Sequence, residues 1–338
     1  GLIMATYKEI KGTQIEVLAS DPSNPVEGQV WYNSTSNVLK GQSATAVGSW
    51  ATGGNVNTAR SQAGVGGAGD KSSALLIGGA PSGGFTGATE SYDGTSWTEV
   101  NDLNQARRGL AAAGASNTSA IVAGGQTPPA PSNAVTDLTE TWNGSNWTEV
   151  NNLNTARNQF PGLGILTAAL AIGGRTPGQR NHNETELWNG TNWTEVNNLS
   201  TGRENFASGG TTTSGIVFGG RNGGPDSKLS VTETWNGTNW TEVNDLNTAR
   251  EQLGGAGADS TSALAFGGEG PPYRAETEEW NGSNWTETTN LPTATQNLFG
   301  SGTATNALAA TGSASPGDVV ASYEWTGAGP VTKTFTDS

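Results

Sequence analysis

The chain has 338 residues, with 50 glycines, 12 tryptophans and no cysteine, and its ionisable groups sum to −14 at pH 7. Zero cysteines exclude disulfides, thiolate metal sites and cysteine nucleophiles. The acidic balance, with no cluster of Lys or Arg, excludes the basic face that nucleic acid or an anionic membrane requires. Twelve tryptophans among so few charged residues call for a packed interior rather than disorder.

Residues 1–27 read as an N-terminal segment, serving either as an attachment element or, through "TQIEVL" from Thr13, as a first strand. Met4 has the form of a natural start, and no charged segment leads into an apolar one, so no signal peptide is expected. The longest apolar stretch, Ile165 to Ile172, is broken by Thr167 and stopped by Gly173, too short to span a bilayer.

From residue 28 to 338 the dominant signal is self-similarity. "TETWNGSNWTEVNNLNTAR" begins at Thr139, with variants from Thr89, Thr185, Thr232 and Thr277 and a degenerate copy around Trp325. The aromatic before each turn stands at Tyr92, Trp142, Trp188, Trp235, Trp280 and Trp325, a period of about 47 residues. That period is typical of propeller blades.

Each unit reads as four strands. A Gly/Ala-rich strand comes first, where blades crowd a central channel. A short apolar run follows, closed by a glycine pair: Gly78–Gly79, Gly124–Gly125, Gly173–Gly174, Gly219–Gly220 and Gly267–Gly268. Bounded runs of this kind suit strands buried on both faces. "TETW" then alternates, with Glu140 and Trp142 on one face. Asn-Gly suggests a hairpin turn, because positive φ is cheapest for these residues. "WTEV" is the outer strand. Trp97, Trp142, Trp147, Trp188, Trp193, Trp235, Trp240, Trp280 and Trp285 are expected to wedge between blades.

"GQVWYN", "NVLKGQ" and "GSWATGGNVNTAR", with Trp50 on the repeat register, supply a partial further copy. The fold expected is all-β, a propeller of seven four-stranded blades. Six blades plus an N-terminal hairpin is the alternative.

The glycine doublet, an aromatic 14 to 19 residues later and a Trp five further on resemble the kelch-type β-propeller repeat over roughly Asn55 to Trp325. The copies depart from that pattern in using Trp where Tyr is common and in being unusually alike. The opening, "MATYKEIKGTQIEVLASDPSNPVEGQVWYNSTSNVLKG", resembles virion structural proteins of marine bacteriophages. That resemblance implies a non-enzymatic tail-fibre, tail-tip or head-decoration protein, resident in the virion. Its partners would be other virion proteins or a host-surface glycan or protein, and self-association stays open. A cellular or secreted kelch scaffold and a propeller glycosidase are the rival readings.

No catalytic, cofactor or metal constellation stands out. His182 is the only histidine, and in a polar loop it reads as solvated. "SYDGTSW" from Ser91 is one residue short of a sialidase Asp-box and reads as a turn. Glu90, Glu140, Glu186, Glu233 and Glu278 read as solvated strand faces rather than calcium ligands. Arg60, Arg107, Arg157, Arg203 and Arg250 recur at one position; each is expected to bond carbonyls or a glutamate, with an anion channel as the alternative. Paired sequons such as Asn143 and Asn146 read as turn chemistry.

What varies is the loop after each glycine pair. These loops are expected on one face of a rigid disc, the arrangement of a binding surface, although unconstrained drift gives the same pattern. They carry the candidate ligand-binding residues Arg175, Arg180, His182, Arg221, Asp226, Tyr273 and Arg274, with Lys228 beside them.

Overall fold

A computed structural model of the chain describes residues 15–23, 25–26, 28–64, 69–128, 134–178, 181–223, 227–270 and 272–335. The chain divides into two compact units, one of residues 1–48 with 328–338, the other of residues 49–327. Among the described residues there are seven four-stranded sheets and one small hairpin, Ser313–Ala314 with Gly317–Asp318.

Six of the sheets build the larger unit. Blades 1 to 5 follow the repeat, each an antiparallel meander ending on "WTEV" or "WTE". Blade 6 takes its inner three strands from Phe299–Thr303, Asn306–Ala310 and Ser322–Thr326. Its outer strand, Ser49–Thr52, comes from the opposite end of the unit and pairs Trp50 with Trp325. This is why Trp50 lies on the repeat register while the last copy stops after its aromatic. Inner strands of successive blades touch all the way round, blade 6 meeting blade 1, so the β-propeller closes with six. The seventh sheet makes up the other unit, so the total is seven four-stranded sheets and the ring corresponds to six blades plus a separate N-terminal element.

The smaller unit pairs Glu16–Leu18, Val30–Asn33, Val38–Ala46 and Gly329–Phe335, the first two in parallel. It therefore contains residues 28–48, which the repeat reading assigns to the propeller. Asp21 organises it. Its carboxylate accepts from Trp31 Nε1 at 3.0 Å, Asn33 Nδ2 at 2.8 Å and Lys40 Nζ at 2.6 Å.

The inner strands need small residues because their backbones nearly touch. A Cβ on Gly209 would lie 2.7 Å from Gly257 Cα, and one on Gly300 would lie 2.6 Å from Gly255 N. Between blades, apolar clusters combine residues of neighbouring sheets. Leu75 and Ile77 of blade 1 pack with Ala120, Val122, Trp142 and Trp147 of blade 2.

The two tryptophans of each repeat do different work. The first binds within its own blade, as Trp142 Nε1 donates to Asn117 O at 3.0 Å. The second reaches the preceding blade: Trp147 Nε1 meets Thr89 Oγ1 at 3.2 Å, and Trp193, Trp240, Trp285 and Trp50 repeat this on Thr139, Thr185, Thr232 and Thr277. Trp97 Nε1 makes no such bond. The matching residue in blade 6 is Ser322, whose hydroxyl donates instead to Gly54 O.

The hairpins differ from a two-residue Asn-Gly turn. Trp142 pairs with Trp147, leaving four residues in the loop. Gly144 alone takes positive φ, at 93°, while Asn143 Oδ1 accepts from the amides of Ser145 and Asn146. The second asparagine clasps the blade before it: Asn101 Nδ2 donates to Asn146 Oδ1 at 3.0 Å, and Asn151, Asn197 and Asn244 repeat the clasp. Both sequon positions are thereby explained by turn and inter-blade bonding.

Trp142 is 1% exposed. Trp142→Ala is expected to cost about 3–5 kcal/mol in urea unfolding. Gly209→Ala, which removes nothing, should still cost about 1–3 kcal/mol through the backbone clash. In the smaller unit the Lys40 ammonium, Asn33 and Trp31 hold the Asp21 carboxyl at about 2, against 3.8 ordinarily. A folded-state value below the unfolded one means the contribution is complete above about 3.8 and is lost as pH falls through about 2. The Trp31 indole NH resonance should therefore titrate near pH 2; a midpoint near 4 would show that the clip does not form.

Candidate binding face

The face is built at the start of each blade, where the connection from the previous outer strand turns into the inner strand. The repeated arginine sits here, wholly buried. Arg107 Nη2 meets Glu140 Oε1 at 2.6 Å, and its Nη1 donates to Leu138 O at 2.7 Å and Gly124 O at 3.0 Å. Arg60–Glu90, Arg157–Glu186, Arg203–Glu233 and Arg250–Glu278 are the same pair. The glutamates are thus not solvated strand faces: Glu90, Glu140, Glu186, Glu233 and Glu278 are buried because each has a guanidinium partner. Each also caps the approaching loop, as Glu140 Oε2 accepts from Asn104 N at 2.9 Å. The outer-strand series, Glu99, Glu149, Glu195, Glu242 and Glu287, is exposed.

Blade 6 has neither partner. Thr295 replaces the arginine, Tyr323 stands where the glutamate would be, and Tyr323 Oη donates to Thr293 Oγ1 at 3.0 Å. The two departures come together, as a buried pair requires.

Two belts of backbone hydrogen bonds run round the axis. In the first, the second glycine of each pair donates to the carbonyl at the arginine position of the next blade. Gly79 binds Arg107 O at 2.8 Å, and the belt continues through Gly125, Gly174, Gly220 and Gly268 until Gly312 binds Arg60 O at 2.9 Å. These glycines take φ between 96° and 117°. A Cβ on the first glycine would strike the same carbonyl, at 2.6 Å for Gly78.

The second belt joins the residues two places after the arginine position. Gly109 N donates to Gln62 O, Gln159 to Gly109, Asn205 to Gln159, Gln252 to Asn205, Asn297 to Gln252 and Gln62 to Asn297, at 2.7–3.3 Å. All six lie at left-handed φ, between 51° and 61°. They surround an open axial cup whose floor is Ala63, Phe206, Leu253 and Leu298. The far end of the channel is lined mainly by glycine backbone. Sequence reasoning missed the cup, although its signal is there: Gln, Gly, Gln, Asn, Gln and Asn fall at one fixed offset from the arginine position.

The variable loops start beside this belt. The residue before each belt residue bridges to the first residue after the glycine pair: Ser61 to Ala80, Arg108 to Gln126, Asn158 to Arg175, Glu204 to Arg221, Glu251 to Glu269 and Gln296 to Ser313. All six loops therefore start on the face that holds the mouth of the cup.

The candidate residues are placed as follows. Arg175 opens the blade 3 loop, bridged to Asn158. Arg221 Nε lies 2.8 Å from Glu204 Oε1 and 3.2 Å from Glu251 Oε2, tying blade 4 to blade 5. Lys228 extends the network to Glu251 at 4.0 Å and Glu269 at 3.8 Å. Burial raises the Glu251 carboxyl, opposed by the Arg221 guanidinium. Arg274 pairs with Glu276 at 2.9 Å, and Tyr273 is exposed. His182 is not solvated: at 8% exposure it begins the strand His182–Trp188, its Nδ1 3.5 Å from Glu184 Oε2, and burial lowers its imidazole. Arg180 and Asp226 lie outside the described residues. No His, Cys, Asp or Glu grouping suited to a metal occurs among the described residues.

Among solved structures the chain is similar to one described as "Structure of YjhT", at a TM-score of 0.67 and 11% identity, over 80% of this chain and 96% of that one. At that identity the likeness shows the propeller fold alone. No protein-family model and no curated protein matches the chain.

Arg107→Ala, which strands Glu140, should cost about 3–5 kcal/mol. The double variant Arg107→Thr with Glu140→Tyr copies blade 6 and should recover at least half of that loss. Chemical denaturation of both variants checks it, and a double variant no better than the single would show the pair is not the unit of stability.

Proposed function

We propose that the chain is a non-enzymatic binding protein of a phage particle, whose propeller face engages a host-surface glycan or another virion protein. One observation carries this reading: six loops of unrelated sequence start on one face of a ring whose other parts repeat closely. A rigid scaffold with diverse loops is how binding surfaces are built. The phage-like opening supports the particle location. It falls within the smaller unit, compact in its own right and suited to an attachment role.

A binding role also agrees with the charges of the face. Glu204 and Glu251 are tied by Arg221, and Arg274 by Glu276, so these groups order the loops. The net charge of −14 argues against nucleic acid as the partner.

Mass spectrometry of purified particles tests the location: the chain should be found at a fixed copy number, and its absence would end the particle reading. Tyr273→Ala should weaken attachment to host cells by at least about tenfold at unchanged Tm. Equal attachment would remove the blade 5 loop from the contact.

A further inference from the structure

Left-handed backbone is natural for glycine and tolerable for asparagine, but uncommon for glutamine. The belt at the cup has Gly109, Asn205 and Asn297, and it also has Gln62, Gln159 and Gln252, at φ 52°, 57° and 55°. The backbone at those three points favours Gly or Asn. Strained positions of this kind persist where the surrounding structure holds them, as the belt does here, and they cluster at functional sites. What Gln shares with Asn is the carboxamide, and the longer stem carries it further from the belt.

Five carboxamides therefore ring the axial cup above an apolar floor. Part of the rim is ordered in advance: Asn297 Nδ2 donates to Gln252 Oε1 at 2.7 Å, and Asn205 Nδ2 to Glu251 Oε2 at 3.2 Å. Elsewhere acceptors are left over. Gln159 Oε1 is buried without a hydrogen bond, and so are Asn158 Oδ1 and Gln296 Oε1 on the residues flanking the rim. Asn158 is itself 6% exposed. Spare buried acceptors ask for donors. The belt carries no charge, and the nearest carboxylates, Glu204 and Glu251, already face Arg221 and Lys228. The chain's overall charge repels anions at longer range.

A ligand that brings several hydroxyls, an apolar face and no charge fits this cup. We propose that the cup seats a neutral pyranose unit, its hydroxyls held by the carboxamides of Gln62, Gln159 and Gln252. This rests on the binding reading above and names the ligand class for its central site.

The experiment uses the full chain. Saturation-transfer NMR with D-glucose, D-galactose and N-acetyl-D-glucosamine is compared with N-acetylneuraminic acid as the anionic control. At least one neutral sugar should bind at millimolar concentration. Gln159→Gly and Gln252→Gly relieve the backbone and remove the carboxamide, so each should raise Tm and weaken sugar binding by at least about tenfold. Gln159→Asn keeps the amide group and should retain part of the binding. A lower Tm in both glycine variants, whatever happens to binding, assigns the amides to the fold and overturns the seat. Binding unchanged in the glycine variants, or binding only of the anionic sugar or of none, overturns it too. The particle reading is decided separately, by mass spectrometry of purified particles.

Discussion

The structure depends on how closely six inner strands approach one another at the axis. Where a Cβ on Gly209 would sit 2.7 Å from the Gly257 backbone, side chains have no room. The gain is that backbone can bond to backbone across blades. Both belts, from Gly79 to Gly312 and from Gln62 to Asn297, close on themselves with one bond per blade. A buried amide left unpaired costs about 1–3 kcal/mol, so an open belt would be penalised at the seam. The large side chains then fill what widens outward, and the tryptophans mark the radius at which filling becomes necessary.

The buried Arg–Glu pair links this axial geometry to the repeat. A charge pair removed from water gains little overall, because desolvation offsets most of the attraction. Its value here is geometric. One guanidinium holds its glutamate and the carbonyls of neighbouring segments, as Arg107 does with Glu140, Leu138 and Gly124, and so fixes the arginine carbonyl that the first belt needs. At the join of blade 6 with blade 1 the Thr311 hydroxyl also donates to Arg60 O, beside the Gly312 amide. The exchange of Arg for Thr295 and of Glu for Tyr323 in that one blade shows that the pair is kept or lost as a unit.

The period, the four-strand blade and the wedge tryptophans were legible in the sequence because each repeats with a spacing that only one architecture satisfies. The roles of Glu90 and its equivalents were not. An alternating "TETW" strand looks half-exposed when read alone, and only the arginine some thirty residues earlier makes burial affordable. His182 misled for a similar reason: its polar neighbours suggest a loop, yet the pairing of Gly174 with His182 draws it into a strand. The Asn-Gly turn was legible as a turn but not in type, since the side chain of Asn143 and the φ of Gly144 share the task. The place of Trp50 could be read only as a register, because a strand that completes blade 6 from the start of the unit leaves no local trace.

The axial mouth and the variable loops answer different demands, and their construction shows it. Belt residues are locked on both sides by backbone bonds, so their backbone has little freedom left to lose on binding, which lowers the cost of association. Among their described residues the loops are anchored at the first residue by the bridges, at the return, as Leu229 N donates to Gly220 O at 2.8 Å, and at crossings such as Gly223 N to Asn181 Oδ1 at 2.9 Å. Beyond those anchors their length and sequence can change without disturbing either belt, because no belt bond passes through them. Diversity in the loops and constancy at the axis are therefore two results of one arrangement: the bonds that fix the ring lie just inside the point where each loop departs.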